Sequence, residues 1–222
     1  MDETMKVLDT FFNPRSVAVV GATNKLDKAG HIIFKNFVEN KKRLVFKGEL
    51  YAVNPYEKSI LGVKCVPNIM KIQGDLELVI IVVPADVVPQ IMKDAAARKV
   101  KTAVIISAGF GEVGNHELEN EVATIAREAG IRVLGPNCLG VFDSRTGVDM
   151  LFLPETKVLT TGDEVVATPR PLPGSIAFVT QSGAFGAAAL DYLAGLHTGV
   201  SKFVSFGNKI DVDEADMLRY LY

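Results

Sequence analysis

The residues best suited to chemistry lie in two glycine turns. In "SVAVVGATNKLDKAGHIIF" (16–34) an apolar run ends in Gly21-Ala22-Thr23, and Lys25, Lys28 and Gly30 precede an apolar-periodic stretch. Gly21 permits a tight turn, Thr23 offers a hydroxyl, Lys25 and Lys28 offer cations, and Gly30 lets backbone come close. A helix starting here aims its free N–H groups at the same point, which suits a phosphate. Each exposed helix-end charge contact is worth roughly 0.3–1 kcal/mol, so a highly charged ligand needs several. The same residues also describe an ordinary strand–helix turn with surface lysines. The second turn, "TQSGAFGAAAL" (180–190), sets Gln181, Ser182 and Gly183 before a small-residue helix. It reads either as another helix-end anion site or as a plain helix capped by Ser182.

Spacing removes several other chemistries. With Gly21 as the first glycine of a dinucleotide fingerprint, Thr23 and Leu26 occupy the other glycine positions, and both fail. The acidic residue that would hold a ribose is missing, because the next apolar run ends Val53-Asn54-Pro55. No Gly-Lys-Ser/Thr follows the turn, so a P-loop is excluded. His31, His116 and His197 have neither HxxxH nor HExxH spacing, so no histidine-built metal site is expected. His197 reads as a solvated loop residue, and His31 and His116 as surface helix starts. Cys65 and Cys138 form no CxxC pair and read as packed thiols. No residue stands out as a catalytic base or nucleophile.

The elements that must position these turns follow from hydrophobic pattern. Strands are expected at 16–21, 49–55, 76–84, 101–110 and 131–135, with helices at about 29–42, 86–99 and 116–129. Continuous Val/Ile runs between helices are strands buried on both faces, hence a doubly wound parallel α/β sheet. Ligands of such sheets gather at the carboxyl ends of the strands. Those ends read "GAT" (21–23), "VNP" (53–55), "VPA" (83–85), "SAGFGE" (107–112) and "GPNCLG" (135–140). Pro55 and Pro84 would form flat apolar walls, while Ser107 and Asn137 would give polar contacts. A long ligand with a charged end and an apolar arm suits this rim.

Residues 144–173 break the rhythm with Pro169, Pro171 and Pro173 and read as a connection between domains. The alternation resumes with a strand at 175–180, a helix at 183–195, a strand at 201–207 and a last helix opened by "DVDE", where Asp211 and Glu214 have capping-box spacing. The expected organisation is a domain over 1–148, a linker over 149–173 and the start of a second α/β domain over 174–222. Two strands and two helices bury little surface alone. Either they dock on the first domain, or the chain is the front of a longer protein, which is the reading favoured here.

Composition narrows the class. The chain has 222 residues, 48% of them apolar, and a formal charge of −2. There is no basic surplus for nucleic acid, no apolar run long enough for a membrane span, and no apolar signal core in the acidic N-terminus. A cytoplasmic protein is expected.

A resemblance then becomes specific. "FFNPRSVAVVGAT", "YAVNP", "ILGVKC", "VPA", "VIISAGFGE", "GIRVLGPNCLGV" and "VTQSGAFGAA" followed by "SKFVSFGNKIDVDEADMLRYL" occur in the order seen in NDP-forming acyl-CoA synthetases, relatives of the succinyl-CoA synthetase α subunit. The match covers nearly the whole chain apart from the 149–173 connection. It implies a Rossmann-like CoA-binding domain followed by a flavodoxin-like one. It implies that Gly21, Ala22, Thr23 and Lys28 meet the phosphates of coenzyme A. Val53, Asn54, Pro55 and Lys58 would flank its nucleotide, and Val83, Pro84, Ser107, Gly109, Phe110 and Asn137 its arm. Gln181, Ser182 and Gly183 would steady a phosphohistidine whose histidine this sequence does not contain.

The implied parent reaction converts acyl-CoA, phosphate and ADP to acid, CoA and ATP through an acyl phosphate. ADP or ATP with Mg2+, a small carboxylic acid and phosphate would serve only the complete enzyme. An ATP-grasp subunit or domain is the implied partner, with neither nucleic acid nor membrane. Apolar exposure of the second segment adds an expectation of self-association. A CoA-binding regulatory region of a protein acetyltransferase, or a standalone CoA-binding protein, would share this front half.

Overall fold

The computed structural model describes residues 2–222. A short helix α1 (Glu3–Asp9), capped by the Asp2 side chain on Met5 N, leads into the first sheet. Its strands are β1 (Ser16–Val20), β2 (Glu49–Val53), β3 (Ser59–Ile60), β4 (Val63–Val66), β5 (Leu78–Ile81), β6 (Thr102–Ile105) and β7 (Arg132–Leu134), in the order β3-β4-β2-β1-β5-β6-β7. Only β3 and β4 pair antiparallel. The expected doubly wound, mostly parallel sheet is therefore present.

Period-two geometry explains the core. Val17 and Val19 join Ile33, Phe34 and Phe37 of helix α2 (Ala29–Lys42) on one face. Ala18 and Val20 join Met92 of α3 (Val88–Ala97) and Val122 of α4 (His116–Ala129) on the other. Each β1 residue is buried, so alternate residues feed two separate cores, and the run contains no polar side chain larger than that of Ser16.

The chain then leaves the sheet. Strand β8 (Gly140–Asp143) pairs antiparallel with β12 (Val200–Ser205), which pairs parallel with β11 (Pro173–Thr180), giving a three-stranded sheet β11-β12-β8. The stretch between β8 and β11 folds into a hairpin of β9 (Thr156–Val158) and β10 (Glu164–Val166) where only a connection was expected. Arg170 pins its base, binding Asp149 and the carbonyls of Leu151 and Leu153. Helices α5 (Gly183–Gly195) and α6 (Glu214–Leu221) complete the fold.

The second segment docks on the first. Tyr220 donates to Asp9 at 2.7 Å and stacks on Phe12 with ring centroids 5.0 Å apart. Arg132 bridges Asp211 and Asp216. That pairing corrects the capping expectation: α6 is capped by Asp213, which accepts from Asp216 N, while Asp211 is committed to Arg132 and Val133 N. Among the described residues no helix is long and apolar enough to cross a membrane.

Candidate functional site

The strand order reverses between β1 and β5, which opens a crevice at their carboxyl ends. Gly21 sits there with φ +95°, its N–H donating to Val53 O. An added Cβ would stand 2.1 Å from Val82 O, so only glycine fits this turn. Gly30 serves the same packing: a Cβ on it would stand 2.1 Å from Gly21 O. The close approach anticipated at Gly30 is thus between helix α2 and its own turn.

The turn is held in place from outside. Asn54 donates to Ala22 O at 2.8 Å and accepts from Tyr56 N. Asn24 reaches Glu57 and Ser59 O. His31 is buried, with Nδ1 2.8 Å from Thr23 O. A carbonyl only accepts, so Nδ1 carries the proton. This corrects the surface placement of His31: the ring is a brace beneath the turn, held by a bond eight residues back along the chain. His116 and His197 are exposed.

Thr23 accepts from Lys25 N at 3.3 Å, leaving its O–H free to donate. Helix α2 begins at Ala29, its N-cap residue Lys28 supplies no side-chain cap, and among the described residues the N–H groups of Ala29 and Gly30 have no acceptor. Lys28 pairs with the adjacent Asp27 in solvent. A hydroxyl, free helix-end amides and an exposed cation thus follow one another along the turn and the helix start, which is a donor set for an anion.

Around the rim the other predicted residues divide. Pro55, Lys58 and Pro84 are exposed, Asn54 and Val83 are half-buried and Val53 is buried. Ser107 is spent on the scaffold, accepting from Val83 N at 3.1 Å and so tying β5 to β6. Phe110 lies wholly in the core. Gly109, with φ +113°, shapes a loop whose amides are already occupied: Gly109 N and Phe110 N donate to Glu112, and Gly111 N to Glu119. Desolvation works to raise the Glu112 pKa, but the Gly109 amide and the Asn208 carboxamide outweigh it and hold the carboxyl below its usual range.

Asn137, in the left-handed region at φ +57°, is exposed at the end of β7. It lines a cleft of about 760 Å³ together with Cys138, Leu139, Gly207, Asn208 and the Gln181-Ser182-Gly183 turn. The volume suits a small-molecule site. Ser182 caps α5 by accepting from Phe185 N at 3.2 Å. Burial pushes the Cys138 thiol up to about 12, so it stays protonated and packs as expected. Asn24, Glu112, Glu119 and Asn208 escaped the reading of the sequence. Their partners lie up to 96 residues away, and no local spacing announces them.

Comparison with known proteins finds two family models along the chain. A model described as a CoA binding domain matches residues 15–144, and one described as a succinyl-CoA ligase like flavodoxin domain matches 173–222. The chain is 40% identical to acetate–CoA ligase (ADP-forming) of Methanocaldococcus jannaschii, over 93% of this chain and 27% of that protein. It is 38% identical to the α subunit of acetate–CoA ligase (ADP-forming) II of Pyrococcus furiosus, over 97% of this chain and 43% of that subunit. The solved acetyl-coenzyme A synthetase 1 of Ca. Korarchaeum cryptofilum, in complex with phosphate and ADP, superposes with a TM-score of 0.85 at 36% identity, over 96% of this chain and 42% of that one. The chain thus spans less than half the length of these relatives. With its first model covering more than half of its residues, the chain belongs to the CoA-binding-domain family and carries a succinyl-CoA-ligase-like flavodoxin segment behind that domain.

Proposed function

We propose that this chain is the CoA-binding part of an ADP-forming acid–CoA ligase acting on acetate or another small carboxylic acid. The observation that carries the reading is the cleft in which Asn137, at the end of the first sheet, faces the Gln181-Ser182-Gly183 helix start. One wall belongs to the predicted path of the CoA arm, and the other to a predicted anion site. A thiol delivered along the first would arrive beside a phosphorylated group held by the second.

The residues fit coenzyme A by the chemistry of their donors. Thr23 O–H and the uncapped amides of Ala29 and Gly30 bind and orient phosphates, and Lys28 adds screened attraction. Pro55, Val83 and Pro84 offer apolar surface along the rim. When bound, CoA supplies the thiol that accepts or releases the acyl group. The Gln181–Gly183 turn orients phosphate through the first amides of α5, where the helix dipole favours negative charge. The complete enzyme would add ADP or ATP with Mg2+, an ATP-grasp partner and the phosphate-carrying histidine, and it would work in the cytoplasm as an oligomer. The 1–148 and 174–222 division, with 149–173 between, remains our proposed domain plan.

Titration calorimetry of this chain against CoA, dephospho-CoA and NAD tests the reading. CoA should bind, dephospho-CoA more weakly, and NAD without measurable heat. Preference for NAD, or silence toward all three, would contradict it.

A further inference from the structure

Asn208 makes more directed bonds than its loop position requires. Its Nδ2 lies 2.7 Å from Glu112 Oε2 and 2.6 Å from Glu119 Oε2. Ionised carboxylates only accept, so the atom between them must be the nitrogen, with one hydrogen for each. The backbone amides of Gly109, Phe110 and Gly111 hold both carboxylates in place. Asn208 N is itself anchored on Pro136 O at 2.9 Å. The Asn208 carboxamide therefore cannot turn over without bringing its oxygen against two anions.

This orientation passes to the next side chain. Asn208 Oδ1 faces Asn137 Nδ2 at 3.4 Å, a long contact whose reversed form would oppose two oxygens. Asn137 is thereby left with Oδ1 uncommitted, and among the described residues that oxygen has no donor. Asn137 and Asn208 both line the cleft. An oxygen there welcomes an N–H group and repels a phosphate or carboxylate.

The geometry points to Asn208, backed by Glu112 and Glu119, as a positioning residue that fixes Asn137 with its amide oxygen toward the cleft, so that this point accepts a hydrogen bond from an amide N–H of the CoA arm. The inference rests on the CoA reading and adds a residue from the second segment to it. It divides the cleft into two chemistries, an acceptor at Asn137 for the neutral arm and donors at Gln181–Gly183 for the anion.

The test is calorimetric titration of the full chain with CoA and with two analogues, each having one of the two arm amides replaced by an ester. In the wild type, one analogue should bind about fivefold more weakly than CoA. In Asn208→Ala that difference should vanish, because CoA loses the contact while the ester analogue had none to lose. General damage to the fold would weaken CoA and both analogues alike and leave the ratio intact, which would overturn the inference. If Asn208→Ala does not fold, Asn208→Ser, which keeps a polar side chain but has only one donor and no carboxamide to orient Asn137, must abolish the difference in its place. Equal affinity of the wild type for CoA and both analogues overturns the inference while leaving CoA binding standing. Absence of CoA binding to the wild type overturns both.

Discussion

The β1–α2 turn and the β11–α5 turn are built from the same plan and finished differently. Each joins a strand to the N-terminus of a helix through glycine. At the first, backbone packs on backbone: Gly21 against Val82 O, Gly30 against Gly21 O, with Ala22 buried and His31 bracing Thr23 from below. No side chain caps that helix. At the second, Ser182 takes up Phe185 N, while Gln181 and Ser182 are exposed. A rigid, uncapped turn keeps its amides available for a ligand at all times. A self-capped turn already has one amide satisfied and offers the remainder. The first is suited to hold the phosphates of a bound nucleotide in one fixed place, and the second to steady a smaller anion with the amides its own cap leaves over.

Substitutions can break this contrast, in decreasing order of effect. Gly21→Val places a side chain where even an added Cβ would stand 2.1 Å from Val82 O, in a left-handed conformation. Urea unfolding should show a loss above about 3 kcal/mol, and CoA binding should disappear. Thr23→Ala removes one donor to a charged group and should weaken CoA binding roughly tenfold by calorimetry, with the melting temperature nearly unchanged. Lys28→Ala should cost about two- to fourfold at low salt, and the difference should close as salt is raised, since the side chain is solvated. Ser182→Ala should do the reverse of Thr23→Ala: a loss of about 1 kcal/mol in stability from the missing cap, and unchanged affinity for CoA.

A pH effect sharpens the same comparison at the third rim loop. The Glu112 carboxyl is held below its usual range. Whatever stability it contributes is complete above the ordinary glutamate pKa of about 4.3 and is lost as the pH falls through the lower folded value. Glu112→Gln should flatten the acid limb of a thermal-melt series below that pH and leave the neutral limb parallel to the wild type.

Much of the first sheet was legible in the sequence, because the signal is local. "SVAVV", "LVII" and "TAVI" are short, continuous and β-branched, and each is buried on both faces. What escaped depends on distant partners. β8 is four residues whose pairing is with β12, some 60 positions later, so nothing nearby shows that it leaves one sheet for another. α1 is too short for its periodicity to register, and it is held by Tyr220 at the far end of the chain. Asp211 had capping spacing, yet the charge of Arg132 captured it. At the site, the glycines that needed an unusual φ could be recognised by type. Asn54 and Asn137 could be named from their places on the rim, but the groups that orient them, and Asn208 altogether, could not, because only the folded chain brings those partners near.

The central claim, that the pyrophosphate of CoA rests at Thr23 and its arm runs past Asn137 toward Gln181–Gly183, is tested most directly by a crystal structure of this chain grown with CoA. The account predicts phosphate oxygens within hydrogen-bond distance of Thr23 Oγ1 and the first amides of α2, and the thiol in the cleft beside Ser182. CoA lodged elsewhere, or a cleft filled by side chains with the thiol turned to solvent, would contradict it.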